Sequence, residues 1–125
     1  VSVLFMKFNL QEARLDAHST VRELNLLFCK LDNLVAAHPH TYKVETVGGE
    51  YVVSSGCPEA CEAHACALSA LAMEAMQIVQ RRTWSTGVPI RTSMGLHCGS
   101  LAAGVAGRAA PRFRLFGDTI NTASR

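Results

Sequence analysis

The sequence has no apolar run approaching the roughly 18 residues that cross a bilayer. Its opening Val1 to Met6 is too short for the core of a signal peptide. Net charge is scarce: 12 Lys and Arg stand against 10 Asp and Glu, and the resulting +2 is too small to argue for nucleic acid. Internal repeats and low-complexity segments are absent. The five cysteines are an odd number without the spacing of a secreted disulfide scaffold, which favours reduced thiols and an intracellular compartment. What remains is a globular composition, 49% hydrophobic and 18% charged, in 125 residues, the size of one domain with a real core. The chain opens inside a strand-like run and stops inside a helix-like run, so it reads as a piece of a larger polypeptide.

Two side-chain clusters invite a ligand. Cys57, Cys61, His64 and Cys66 are dense enough for zinc. On a helix opened by Pro58, however, Cys61 and Cys66 stand about 140° apart, and idle thiols are the expectation. Arg108, Arg112 and Arg114 form a local basic cluster, a solvated loop that also suits an anion.

The pattern is clearest at Tyr42 to Val53. Two β-prone runs flank Gly48-Gly49-Glu50, which predicts a hairpin whose glycines supply positive φ. Val1 to Met6 reads as a buried strand. Ser19 or Thr20 is expected to cap a helix, with Glu23 completing a capping box. Val21, Leu24, Leu27, Phe28, Leu31, Leu34 and Val35 carry that helix to about Ala37. Pro39 ends it, leaving His38 and His40 as solvated loop residues. A second helix is predicted from about Glu59 to Arg82, with Ala65, Leu68, Ala72, Ala75, Met76 and Val79 inward. After a loop at 84–89, strands are expected at Ile90–Cys98, Leu101–Ala106 and Arg112–Phe116, and a helix from Asp118. This order predicts an α+β fold, a ferredoxin-like sandwich with one mainly antiparallel sheet and helices on one face.

Three stretches together resemble the class III nucleotide cyclase catalytic domain, the adenylyl/guanylyl cyclase family. They are Tyr42-Lys43-Val44-Glu45-Thr46-Val47-Gly48; Gly95-Leu96-His97-Cys98-Gly99 with Ala103-Gly104-Val105-Ala106-Gly107; and Phe113 to Arg125. The resemblance implies a single cyclase-type domain over 1–125 that lacks the family's C-terminal end. It implies conversion of a purine nucleoside triphosphate to cyclic nucleotide and pyrophosphate, with magnesium or manganese, at a site shared between two domains. The parent protein is then either soluble or membrane-bound, with this domain facing the cytoplasm and touching neither membrane nor nucleic acid.

Carried over residue by residue, Asn121 and Arg125 match the family's Asn-x-x-x-Arg pair, which orients the ribose and stabilises the transition state. At i and i+4 they share a helix face. Glu45 matches the guanine-reading Glu of guanylyl cyclases; a carboxylate accepts from guanine N1–H and N2–H₂. Arg114 falls on the second base-reading position, usually Cys or Asp, and departs from both. Phe116 and Asp118 lie in the same nucleotide-binding stretch.

The metal positions depart further. Lys7 and Gly49 stand where the family carries its two metal Asp residues, and Leu10-Gln11-Glu12 stands where it carries a phosphate-cradling Gly-Phe-Thr. Gly48-Gly49-Glu50-Tyr51 also resembles the Gly-Gly-(Asp/Glu)-Glu-Phe hairpin of diguanylate cyclases, which makes Glu50 a lesser metal candidate. The two-residue period of a strand turns Glu50 to the other face from position 49. The expectation is therefore no metal held by this chain. Magnesium or manganese comes only through a partner cyclase domain, in a heterodimer or an intramolecular pair, and the chain alone is inactive. The competing expectation is a non-catalytic pseudo-cyclase acting as a dimerisation or regulatory module.

Overall fold

The structure is a computed structural model that describes residues 1–47, 49–56, 59–99, 102–106 and 112–116. Strand β1 (Ser2–Phe8) leads through one helical turn, α1 (Leu10–Ala13), into the long helix α2 (Ala17–Ala37). The hairpin β2 (Thr41–Val47) and β3 (Glu50–Ser55) follows, then α3 (His64–Gln80) and β4 (Thr92–Cys98). Strands β5 (Ala102–Ala106) and β6 (Arg112–Phe116) form a separate antiparallel pair. The main sheet runs β2-β3-β1-β4 with every neighbour antiparallel. The βαββαβ order with that strand arrangement is the ferredoxin-like sandwich.

One face of the sheet carries the core. Leu4 pairs with Val53 and Met6 with Tyr51, so these four share a face. They join one buried cluster with Leu27, Leu31 and Val35 of α2 and Leu68, Leu71, Ala75 and Val79 of α3. Both helices therefore cover the same side of the sheet. Each fully buried Leu or Val contributes roughly 1.5–3 kcal/mol of hydrophobic stabilisation.

Several local expectations are corrected. Helix α2 begins three residues early because Asp16 is its cap: its Oδ1 accepts from the Ser19 amide at 2.7 Å. That bond, the largest influence on the group, holds the Asp16 carboxyl below the usual carboxylate range. Glu23 closes no capping box; its carboxylate accepts from the amide and hydroxyl of Ser85 at 2.8 and 2.7 Å. Helix α3 starts at His64, not Glu59. Residue 59 is drawn toward β2, where Tyr42 donates to Glu59 Oε2 at 2.8 Å, and the His64 ring is bonded to Ser2 Oγ at 2.6 Å. This phase buries Leu71 and leaves Met76 38% exposed. His38 is not simply solvated, since its Nε2 lies 3.0 Å from Glu74 Oε2 and ties the end of α2 to α3.

Candidate active site

Among the described residues, Lys7, Gly49 and Glu50 meet around the end of β1 and the tip of the hairpin. Asn9 organises the first of these. Its Oδ1 accepts from Trp84 Nε1 at 3.1 Å and from the Arg91 amide at 2.8 Å, and its Nδ2 donates to the Pro89 carbonyl at 3.0 Å. Trp84 is buried, so the loop 84–91 is clamped against the exit of β1. This clamp sets where α1, and Leu10 at its start, lies.

Leu10 lies over the hairpin tip. Gly49 has φ +86°, a conformation that favours glycine. A Cβ built there would stand 2.8 Å from Leu10 Cδ1 and 3.6 Å from Leu24 Cδ1. Gly49 and Leu10, two positions the resemblance marks as departures, thus belong to one packing arrangement.

Lys7 and Glu50 complete it. The Met6–Tyr51 pair places residue 7 across from residue 50. Lys7 Nζ lies 3.6 Å from Glu50 Oε1, with side chains 48% and 35% exposed. A Cβ at Gly49 would point toward Leu10 and Leu24, on the helix side, so Glu50 faces the other way from position 49, as the strand period predicts. Gly49 belongs to the turn and β3 starts at Glu50. Glu50 shares the helix-free face with Lys7.

These residues do not fit a divalent cation. An ammonium has no lone pair while protonated and repels the ion, and the nearest carboxylate already has a cationic partner. Among the described residues no group of three or more His, Cys, Asp or Glu is placed to hold a metal. Of the cysteine cluster, Cys57 lies outside the described residues. His64 is committed to Ser2, whose Oγ also lies 2.9 Å from Cys98 Sγ.

Strand β2, which carries Glu45, is shaped by an irregularity. Val44 pairs with Val52 and Val47 with Glu50, so Glu45 and Thr46 stand against the single residue Tyr51. This is a β-bulge, a device that redirects side chains. Strand β6 lies beside β2, which brings the Arg114 and Phe116 positions next to the Glu45 strand. Asp118, Asn121 and Arg125 lie outside the described residues. The roles of Leu10, Asn9 and Tyr51 had no sequence signal of their own, because each arises from a contact between distant elements.

A family model described as adenylate and guanylate cyclase catalytic domain matches residues 1–125. The chain belongs to this family. It is 43% identical over 107 residues to the rat guanylate cyclase soluble subunit beta-2, covering 84% of this chain and 15% of that protein. Among solved structures, it is similar to the GTP-bound guanylate cyclase domain of RhGC from Catenaria anguillulae, with a TM-score of 0.88 and 32% identity. That match covers 99% of this chain and 69% of the other. It is also similar to the dimeric guanylyl cyclase domain of the RhoGC fusion protein from Blastocladiella emersonii, with a TM-score of 0.87 and 30% identity. There the match covers 98% of this chain and 70% of the other. Among the described residues of this cyclase domain, no helix is long and apolar enough to cross a membrane.

Proposed function

We propose that this cyclase domain supplies the purine-binding and transition-state half of a site shared with a second cyclase domain. Glu45 reads the base, and Asn121 and Arg125 orient the ribose and stabilise charge on the transferring phosphoryl group. Arg114, Phe116 and Asp118 line the nucleotide. The substrate is GTP, or ATP, and the products are cyclic nucleotide and pyrophosphate. Magnesium or manganese is held by carboxylates of the partner, in a heterodimer or an intramolecular pair. Free cysteines at 29, 61, 66 and 98 support an intracellular setting.

One observation supports this reading: a Lys7–Glu50 ion pair stands beside Gly49, and the resemblance assigns positions 7 and 49 to metal carboxylates. The test mixes this chain with a cyclase domain that carries both Asp residues and measures cyclic GMP. Activity that appears only in the mixture and collapses with Asn121→Ala or Arg125→Ala supports the reading. A mixture no more active than the partner alone overturns it.

A second reading, a pseudo-cyclase that regulates its neighbours, is favoured by Leu10 packed over Gly49 and by Arg114 at a base-reading position. In that case the mixture's activity is indifferent to Asn121→Ala and Arg125→Ala.

A further inference from the structure

We propose that Tyr51, anchored by Asp32, is a positioning residue that sets the strand carrying Glu45 and thereby the choice of purine. This rests on the base-reading role given to Glu45 above. In an unbroken ladder Glu45 would pair with Tyr51 and share its face. That face lies under α2, where Asp32 already holds a carboxylate. A second carboxylate there would compete with Asp32 for Lys43 and lose hydration against the buried Tyr51. The bulge breaks that pairing, and Tyr51 is the one residue the bulge is built against.

Tyr51 is held from every side. It is fully buried, and its ring centroid is 5.3 Å from that of Phe28. Its hydroxyl donates to Asp32 Oδ1 at 2.6 Å. The same Oδ1 lies 3.0 Å from Lys43 Nζ, and the Lys43 ammonium is 5.4 Å from the Tyr51 ring centroid. One carboxylate on α2 therefore ties both strands at the bulge: β3 through Tyr51, and β2 through Lys43, two residues before Glu45. Burial, then the bond to Asp32 and its charge, push the Tyr51 hydroxyl above its ordinary range. The donor is thus retained across neutral pH. Neither Asp32 nor Tyr51 has a part in the chemistry, so their effect on purine choice would pass through the strand.

The experiment pairs the full chain with a cyclase domain carrying both metal carboxylates and measures kcat and KM for GTP and ATP. Tyr51→Phe and Asp32→Asn should each lower the GTP-over-ATP ratio of kcat/KM about three- to tenfold, mainly through KM for GTP. Val79→Ala, a core variant in α3 that should lower Tm and lies outside the Tyr51–Asp32–Lys43 tie, should leave the ratio unchanged. Glu45→Lys tests the underlying role and should abolish the preference for GTP. An unchanged ratio in both Tyr51→Phe and Asp32→Asn overturns the proposal while Glu45 keeps its role. An equal shift in Val79→Ala overturns it as a general stability effect. An active pair indifferent to Glu45→Lys, or an inactive wild-type pair, overturns the base-reading role and this proposal with it.

Discussion

Lys7 and Glu50 face each other across the β1–β3 pairing with their charged ends 3.6 Å apart. The resemblance gives the first a metal-carboxylate position, and the second opens β3 at the hairpin tip. The register forces them together, since residue 7 falls opposite residue 50 one step beyond the Met6–Tyr51 pair. Half-exposed as it is, the pair contributes only about 0–1 kcal/mol. Its consequence is chemical: the acidic group at the tip is already matched by a fixed cation.

Metal response follows from that match. The melting temperature of the wild-type chain should not change on adding manganese, and the chain alone should form no cyclic GMP from GTP and manganese. Lys7→Asp should place two carboxylates together and make the melting temperature rise with manganese concentration. Thermal melts with and without the ion check this; a manganese-dependent rise in the wild type would count against it.

Restoring the second carboxylate should be costly by itself. Gly49→Asp forces a side chain into φ +86° and against Leu10 Cδ1. The expected loss is about 1–3 kcal/mol in urea denaturation. Leu10→Ala in the same chain should recover only part of it. The Leu10 methyl can swing away, whereas the backbone conformation cannot change without opening the turn.

Alkaline stability should report on Tyr51. Its folded-state hydroxyl is held above the ordinary value, so its contribution is fully present below about pH 10 and lost as pH rises beyond that. The unfolded chain releases that proton first, which pulls the equilibrium toward unfolding. Tyr51→Phe should reduce the slope of stability against pH above about 10. Phenolate absorbance distinguishes the two tyrosines: the bond to Glu59 also raises the Tyr42 hydroxyl, but Tyr42 is not fully buried and should titrate before Tyr51 in the folded chain.

Helix phase gives a further contrast. Leu71, fully buried on α3, should cost about 2–5 kcal/mol when changed to Ala. Met76, 38% exposed, should cost under about 0.5 kcal/mol. Equal losses at the two positions would contradict the observed packing.

The element order, the antiparallel sheet and the family were legible in the sequence. Alternation, helical spacing and the Gly-Gly turn are properties of short segments and survive without a tertiary context. Lys7 and Gly49 were read as departures from the metal pattern from residue type at a motif position alone. The start of α3 was not legible, because Tyr42 and Ser2 fix it from other strands. The bulge opposite Tyr51 and the Tyr51–Asp32–Lys43 tie depend on strand register and on how α2 docks. Residue type and spacing thus determined what the chain resembles. Which charge meets which, and which side chain lies over Gly49, was decided by contacts between residues far apart in the chain, for which local periodicity carries no information.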